Sequence, residues 1–332
     1  MKIAVNGFGR MGRLFTRIAL ADGLDVTAIN EPAGDAEAMA LALEFDSVQG
    51  RYARSVRADG DRLVAGDRAL RVVQQADLDQ LPWRELGVGL VVECSGKAKK
   101  KDLCARHLAR GATAVLASHP VPDVPNVVYG VNHEAVAFAD EPVVTAASCT
   151  TNCLAPIVRV LHDAIGIERG LVTTVHDPTN TQSVVDRVHK DPRRARSSLV
   201  NLIPTTTNSA TAVTLIVPEL KGRLDSIAVR APVLNASLTD CSFQMRRPTT
   251  VDEVNGALCA AADGPLAGVL GFETRPLVSS DFVRDPRSGV VDAGCTRVVD
   301  GTMVKVMAWY DNEWGYANRL ADLARCILAA RI

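Results

Sequence analysis

A glycine-rich turn between a strand and a helix is the feature that most constrains the fold. Residues 2–5 are a short apolar run, and a Gly-x-Gly-x-x-Gly turn follows at 7–12. A helical apolar pattern comes next, and a second apolar run spans 25–29. This order of strand, turn, helix and strand is the β-α-β unit of dinucleotide-binding sheets, which supports a motif that would be weak evidence alone.

Each glycine of the turn has its own steric task. Gly7 permits the tight turn, Gly9 lets the backbone approach a pyrophosphate, and Gly12 allows the helix to pack closely on the strand. The helix N-terminus then presents the backbone N–H groups of Arg10 and Met11 to the anion. The alternative is a plain strand–turn–helix without a ligand. The surrounding pattern favours the dinucleotide site.

The end of the second strand bears on the choice of cofactor. Glu31 follows that strand, where a carboxylate would accept hydrogen bonds from the adenosine ribose. No arginine is adjacent, and a 2′-phosphate would meet a negative charge, so the sequence favours NAD over NADP. A solvated loop charge is the alternative interpretation of Glu31.

The alternation of predicted strands and helices continues to about residue 120. Apolar runs at 90–92 and 114–116 predict two more buried strands, with a helix predicted over 97–110 between them. Ligands lie outside the carboxyl ends of such strands. Turn chemistry alone would also explain small residues there. The cofactor-side candidates at these strand ends are Ser95, Gly96 and Ser118.

A thiol precedes the next predicted helix. Cys149 stands before an apolar helical pattern at 154–161. Backbone N–H groups and the helix dipole favour an anion at that position, and the thiolate is the nucleophile of thiol catalysis. A buried, inert cysteine is the alternative. A metal pair with Cys153 is disfavoured because no second CxxC or CxxH cluster is present, so no metal is expected.

A histidine is predicted to reach this thiol. The run 170–175 indicates a strand that ends in His176, and the helix, turn and strand between the two residues allow them to meet. An imidazole beside a thiol can stabilise the thiolate and then act as base and acid near neutral pH. A structural histidine at a strand end is the alternative.

Hydroxyl and guanidinium groups further along offer anion sites. Residues 177–198 are irregular and basic, which fits a charged surface loop or a subunit contact as well as a ligand site. Thr207 and Asn208, with an arginine, are candidates for phosphate binding, as is Arg230. A strand threonine and a helix N-cap would explain the first two equally well.

The second half predicts a different sheet. Alternating runs at 227–233, 237–245 and 302–310 indicate a largely antiparallel sheet, and a last helix is predicted over about 315–330. Asn312 lies in the turn before this helix, where its carboxamide can pair with the nicotinamide amide. The chain is therefore predicted to be α/β, with a Rossmann-type doubly wound parallel sheet and an α+β catalytic domain.

Composition limits the function classes. The chain has 332 residues with a net charge of −1, so nothing draws the whole molecule to nucleic acid or to anionic membrane. Apolar residues make up 47%, and no run is long enough for a membrane span, so no membrane insertion is expected. Eight scattered cysteines favour reduced thiols and a cytoplasmic protein.

Taken together, these residues resemble the phosphorylating glyceraldehyde-3-phosphate dehydrogenase family. The resemblance runs nearly end to end, and its most specific blocks are ASCTTNCLAP at 147–156 and WYDNEWGYANR at 309–319. It implies an NAD-binding domain at 1–148 and 312–332, a catalytic domain at 149–311, and a homotetramer. Further matching blocks are NGFGRMGR, FDSVQGR, HDPTNTQ, HKDPRRAR and PLVSSDF.

The resemblance also implies roles for individual residues. Cys149 matches the nucleophile and His176 the base that activates it. Thr179 and Arg230 match the pocket for the substrate's C3 phosphate. The pocket for attacking inorganic phosphate is matched by Ser148, Thr150, Arg194, Thr207 and Asn208. NAD contacts are matched by Arg10, Met11, Glu31, Ser118 and Asn312.

Several positions depart from the family pattern. Thr181 stands for an Asp, Asn208 for a Gly, Thr211 for a Lys, Ala76 for an Arg, His119 for an Ala and Glu31 for an Asp. The combination of the segments INE, HDxTNTQ and TTTxSAT looks most like variants associated with arsenate-resistance operons. This likeness implies that arsenate can replace phosphate, giving 1-arseno-3-phosphoglycerate instead of 1,3-bisphosphoglycerate, with a functional link to an arsenical-exporting permease.

Other functions remain open on sequence grounds. Erythrose-4-phosphate dehydrogenase shares the cysteine, the histidine and the NAD fold. Semialdehyde and acyl-phosphate reductases share the chemistry, but they usually lack the acidic ribose residue, so Glu31 argues against them. A dinucleotide-sensing binding protein would need neither an activated thiol nor anion pockets, and no nucleic acid is expected as a partner.

Overall fold

The computed structural model describes residues 1–179 and 181–331. Asn180 of the HDPTNTQ block and Ile332, the last residue of the predicted NAD-binding domain, therefore lie outside the described residues. The chain forms two compact units, one of residues 1–148 with 317–332 and one of residues 149–316. None of the helices in the described ranges has the length and apolar character that crossing a membrane requires.

The first unit is built on a mostly parallel sheet. Its strands are β1 (Lys2–Asn6), β2 (Val26–Asn30), β3 (Val56–Asp59), β4 (Arg62–Ala65), β5 (Arg68–Val73), β6 (Val88–Glu93), β7 (Ala114–Ala117) and β8 (Val143–Thr145). Among the described residues the order is β3-β4-β5-β2-β1-β6-β7-β8, with antiparallel pairing only at β3-β4 and β4-β5. The predicted doubly wound sheet is confirmed, and the glycine turn follows its central strand β1.

Helices connect these strands. They are α1 (Arg10–Ala21), α2 (Ala36–Glu44), α3 (Trp83–Leu86) and α4 (Lys101–Ala109). The prediction that a helix begins at Lys97 is wrong, because α4 begins four residues later. Ala98 is fully buried in the preceding loop, and its carbonyl accepts hydrogen bonds from Cys104 and from the His119 ring. These tertiary contacts hold the segment outside the helix.

The second unit contains a mixed sheet. Its strands are β9 (Ile167–His176), β10 (Ile203–Thr206), β11 (Leu224–Arg230), β12 (Ser237–Met245), β13 (Leu270–Glu273), β14 (Gly289–Val299) and β15 (Met303–Tyr310). Its helices are α5 (Cys149–Ala164), α6 (Ser209–Thr214) and α7 (Val251–Asp263), while α8 (Trp314–Ala329) continues into the first unit. Within the described residues the strand order is β10-β11-β9-β12-β15-β14-β13.

This sheet is largely antiparallel, as predicted, because four of its six neighbour pairs run antiparallel and only β11-β9 and β13-β14 run parallel. The strand predicted over 227–233 ends earlier, at Arg230. Pro232 lies two residues beyond and has no amide hydrogen for a ladder bond, which limits the strand.

The register brings functional side chains to one end of this sheet. His176 at the end of β9 pairs with Arg230 at the end of β11, and Ser237 at the start of β12 pairs with Tyr310 at the end of β15. Helix α5 packs on β9, β12, β14 and β15 with a largely buried surface. Because α5 begins at Cys149, its N-terminus belongs to the same group of elements.

Candidate active site

Cys149 is the first residue of α5 and is half-buried. Its Sγ lies 3.6 Å from Nε2 of His176 and 4.0 Å from Oγ1 of Thr150. The predicted meeting of thiol and imidazole is therefore confirmed as a contact. At this helix position the backbone N–H groups and the helix dipole favour negative charge on the sulfur.

His176 is buried, and both ring nitrogens have partners. Nδ1 lies 2.9 Å from the carbonyl oxygen of Asp177 and 2.5 Å from carboxylate Oδ1 of the same residue. Burial opposes a charged imidazole, but Asp177 and the sulfur of Cys149 outweigh it and raise the pKa of His176 to about 9. The ring is therefore an imidazolium at neutral pH, which suits a neighbouring thiolate.

Tyr310 is a member of this cluster that sequence reasoning treated only as a strand residue. Its hydroxyl lies 2.9 Å from Oγ1 of Thr150 and 2.8 Å from Oγ1 of Thr174, and its ring meets the His176 ring edge-on. Burial raises the pKa of the Tyr310 phenol, so it stays neutral. Its place at the start of the WYDNEWGYANR block was the available signal.

The other seven thiols have environments that disfavour ionisation. Burial raises the pKa of Cys94, Cys104 and Cys153 to about 12. It also raises the pKa of the remaining four, Cys241, Cys259, Cys295 and Cys326. Cys153 is fully buried, which is the inert state of a core cysteine.

Arg230 brings positive charge to the thiol, and Arg194 lies near Arg230. Arg230 donates from Nη1 to the carbonyl of Asp177 at 3.1 Å. Burial lowers the pKa of Arg230, nearby Arg194 acts in the same direction, and the charge of Cys149 opposes both. Arg194 donates from Nε to Oγ1 of Thr205 at 2.9 Å. An anion beside these guanidinium groups would relieve their mutual repulsion.

The remaining anion candidates have more varied surroundings. The Thr179 hydroxyl is exposed and hydrogen-bonds Thr181 and Gln182. The Thr207 hydroxyl bonds the hydroxyl of Ser209 at 2.7 Å. Asn208 is the exposed N-cap of α6, without a side-chain cap bond, and lines a cavity of about 590 Å³ with Thr207.

Two more candidates, Ser148 and Asn312, lie close in sequence to the boundaries between the two units. Ser148, the last residue before Cys149, is half-buried and belongs to the first unit. The Asn312 side chain is buried, and its Oδ1 accepts a hydrogen bond of 2.9 Å from Oγ of Ser237. Asn312 is thus fixed at the same end of the sheet as Tyr310 and His176.

The glycine turn of the first unit has the shape that a dinucleotide requires. Gly7 has φ +93°, and a Cβ there would lie 2.5 Å from the backbone of Ser95. At Gly12 a Cβ would lie 2.0 Å from the Gly7 carbonyl oxygen. A Cβ at Gly9 would meet no atom of the described chain within 4 Å, so Gly9 faces open space at the N-terminus of α1. Met11 is the second residue of that helix. The turn therefore fits a pyrophosphate.

Glu31 and Arg10 are held beside this turn. The Glu31 carboxylate accepts hydrogen bonds from the backbone N–H groups of Phe8 at 2.9 Å and Ala33 at 3.1 Å, and it keeps lone pairs for a ribose. The Arg10 side chain pairs with Asp46, which belongs to the FDSVQGR block. Burial opposes ionisation of Asp46, but Arg10 and two backbone N–H groups hold the pKa of that carboxyl well below its usual range.

A buried network that sequence reasoning missed orients Ser95. The Ser95 backbone N–H donates to Glu93 at 2.7 Å, and its hydroxyl donates to the same oxygen. The other Glu93 oxygen lies 3.0 Å from Nε2 of His107. Ser118 bonds back to β6 through its backbone N–H, and Gly96 has φ +65°. The three loop candidates are thus at the carboxyl ends of β6 and β7.

Gly9→Ala is expected to weaken NAD binding by at least about tenfold, because the added methyl would occupy the open face over which the pyrophosphate lies. Thermal stability should change little, since that methyl contacts no protein atom in the described chain. Calorimetric titration with NAD and a melting curve measure the two effects. Unchanged NAD affinity would contradict this assignment of the site.

Gly7→Ala is expected to lower the free energy of unfolding by about 2–5 kcal/mol, from left-handed strain and the clash with Ser95. Gly23 is the matched control, because its φ is +76° with no atom of the described chain within 4 Å of a Cβ. Gly23→Ala should cost about 1–2 kcal/mol from strain alone. Denaturant titration of both variants checks the difference, and equal losses would remove the steric argument.

Comparison with known proteins finds the same family in both halves of the chain. The family model described as the NAD-binding domain of glyceraldehyde 3-phosphate dehydrogenase matches residues 1–101, and that of its C-terminal domain matches residues 148–312. Glyceraldehyde-3-phosphate dehydrogenase 3 of Nostoc is 52% identical over 328 residues, 98% of this chain and 97% of the relative. The chain belongs to this family.

Two further relatives support the assignment. The plasmid-encoded glyceraldehyde-3-phosphate dehydrogenase of Cupriavidus necator is 49% identical and covers 100% of this chain and 99% of its own. That of Cereibacter sphaeroides is 48% identical, covering 98% and 97%. The chain is therefore an NAD-dependent oxidoreductase of the glyceraldehyde-3-phosphate dehydrogenase family, with an NAD-binding domain and a catalytic domain.

Proposed function

We propose that the chain oxidises D-glyceraldehyde 3-phosphate with NAD through a thioester on Cys149, which phosphate or arsenate then cleaves. The observation that carries this proposal is the 3.6 Å contact between Sγ of Cys149 and Nε2 of His176 at the N-terminus of α5. Arg230 and Arg194 add the positive charge that a phosphorylated substrate needs. The names of the relatives indicate the same aldehyde.

The first step is addition of the thiol to the aldehyde. The Cys149 thiolate attacks the carbonyl carbon, a C–S bond forms, and the carbonyl electron pair moves to oxygen. His176 gives that oxygen the imidazolium proton, and the product is a thiohemiacetal. The backbone N–H of Cys149 is assigned to stabilise the oxyanion as it develops.

The second step is oxidation of the thiohemiacetal. NAD, when bound, supplies the hydride acceptor. His176 is now neutral and takes back the hydroxyl proton while the hydride leaves carbon, so the C=O bond reforms as a thioester. The turn at 7–12 and the Glu31 carboxylate are the proposed holders of the cofactor, and Asn312 that of its nicotinamide end.

The third step is cleavage of the thioester by an oxyanion, whose oxygen forms a bond to the acyl carbon while the C–S bond breaks and Cys149 leaves as the thiolate. Arg194, Ser148, Thr150, Thr207 and Asn208 are the proposed ligands, with Thr179 and Arg230 holding the substrate's own phosphate. Phosphate gives 1,3-bisphosphoglycerate and arsenate gives 1-arseno-3-phosphoglycerate. Arsenate has nearly the shape and charge of phosphate, so a pocket for one seldom excludes the other.

The arsenate-linked role is the finer part of the proposal. It is supported by the departures at Thr181 and Asn208, since both lie in segments that bear anion candidates. In that role the enzyme would act in the cytoplasm and supply its arsenylated product to an exporting permease. None of the three relatives described above mentions arsenate in its name.

A homotetramer is the proposed assembly. Apolar side chains of the basic segment 177–198 and of the residues directly after it are exposed in the single chain and would be covered by a second copy. They include Val184, Val185, Val188, Leu199, Val200 and Leu202, each at least 62% exposed. Light scattering of the purified protein measures the assembly, and a monomer would contradict it.

The decisive experiment follows NADH formation from glyceraldehyde 3-phosphate with phosphate, with arsenate and with neither. The proposal predicts turnover with each oxyanion and, without them, a single burst that approaches one NADH per site. Erythrose 4-phosphate under matched conditions is the competing aldehyde. The proposal would be overturned if erythrose 4-phosphate gave NADH and glyceraldehyde 3-phosphate did not. It would also be overturned if glyceraldehyde 3-phosphate gave no NADH with either phosphate or arsenate.

A further inference from the structure

Asp177 is a buried carboxylate beside the catalytic pair. Its side chain is 5% exposed, and Oδ1 lies 2.5 Å from Nδ1 of His176. Oδ1 has no hydrogen-bond partner within residues 1–179 and 181–331, so its charge is directed at the ring without a linear hydrogen bond. A buried carboxylate needs a compensating charge, and the imidazolium is the nearest one.

The backbone of Asp177 fixes this geometry. Its N–H donates to Oγ of Ser237 at 3.4 Å, and its carbonyl oxygen lies 2.9 Å from Nδ1 of His176 and 3.1 Å from Nη1 of Arg230. Three neighbours on β9, β11 and β12 thus hold the residue at the end of the sheet. The carboxylate has little freedom to leave the imidazole.

We propose that Asp177 is a positioning residue that keeps the proton shared by Cys149 and His176 on the imidazole, so that the sulfur is held as thiolate. The inference rests on the proposed function, because that function makes Cys149 the reactive thiol. The inference goes beyond that function because it makes the Asp177 side chain responsible for the protonation state of Cys149 and His176. Asp177 itself touches neither the sulfur nor the substrate in this role.

Charge balance supports this role. The groups around His176 are Cys149 from α5, Asp177 directly after β9, Arg230 paired with it on β11, and Tyr310 from β15. With Tyr310 neutral, a thiolate and a carboxylate balance an imidazolium and a guanidinium. Without the Asp177 charge the imidazolium loses the carboxylate beside its Nδ1, which favours transfer of the Nε2 proton from the imidazole to the sulfur.

The pH profile of alkylation tests this inference. The rate at which iodoacetamide alkylates Cys149 is measured by site-resolved mass spectrometry in the wild type and in Asp177→Asn, which keeps the side-chain shape. At pH 7 the variant rate should fall, by up to about tenfold for each unit by which the pKa of His176 falls. The two rates should agree at about pH 10.5, which lies roughly two units above the ordinary pKa of a free thiol.

Three variants and their outcomes keep the test decisive. Asp177→Glu should restore part of the rate at pH 7, while Asp252→Asn removes an exposed aspartate of α7 and should match the wild type. Superimposed wild-type and Asp177→Asn profiles, or an equal loss at every pH, would overturn the inference. A wild-type Cys149 that is not alkylated faster than the other thiols would instead overturn the proposed function.

Discussion

Cys149→Ser is expected to lower dehydrogenase turnover by at least about four powers of ten. A serine hydroxyl is not ionised near neutral pH. The substitution also removes the thiolate–imidazolium pair, because the sulfur of Cys149 is one of the groups that raise the pKa of His176 against the effect of burial. NAD binding should persist, since the proposed cofactor contacts do not include the sulfur. Steady-state NADH formation and calorimetric titration measure the two quantities.

Cys153→Ser is the matched control for this substitution. It makes the same chemical change four residues along α5, at a thiol that is fully buried. Turnover should stay within a few-fold of the wild type. Appreciable turnover by Cys149→Ser, or an equal loss of turnover in both variants, would contradict the assignment of Cys149 as the nucleophile.

His176→Asn is expected to slow the hydride step by about two to four powers of ten. Asparagine cannot give the imidazolium proton to the aldehyde oxygen or take it back as the hydride leaves. It also removes the cation 3.6 Å from the sulfur. Single-turnover NADH formation measures the step, and substrate deuterated at the aldehyde carbon should show a primary isotope effect on it.

The same variant should change how stability depends on pH. Because the pKa of His176 is raised in the fold, its charged form stabilises the native state fully below the ordinary value of 6.5. This contribution is lost as the pH rises through about 9. His162→Asn, at the other end of α5, is the control. A wild-type rate of NADH formation in His176→Asn would refute the role of the imidazole.

Much of the fold was predictable because buried parallel strands read as apolar runs and exposed antiparallel strands as alternation. The strand at Ser237–Met245 was predicted with its observed bounds. Errors arose where tertiary contacts decide. Helix α4 begins after the buried Ala98, and the spacing of apolar residues around the lysine-rich run does not predict that Ala98 is buried.

The identities of the main site residues were predictable from the sequence, but the arrangement of their side chains was predictable only in part. The sequence placed Cys149 before a helix and His176 at a strand end, and their contact follows from the order of those elements. Sequence alone did not single out Asp177, because its importance depends on where a strand-end carboxylate points. Tyr310 was hidden for a similar reason, since alternation predicts burial but not the two threonine hydroxyls that its phenol meets.

In the proposed mechanism the acyl group of the substrate is carried by the sulfur of Cys149. The direct measurement is rapid acid quenching of the enzyme after mixing with glyceraldehyde 3-phosphate and NAD without oxyanion, followed by peptide mass spectrometry. The expected result is a 3-phosphoglyceroyl group on Cys149 in proportion to the NADH formed, and its disappearance when phosphate or arsenate is added. NADH formed without that adduct, or an adduct on another residue, would contradict it.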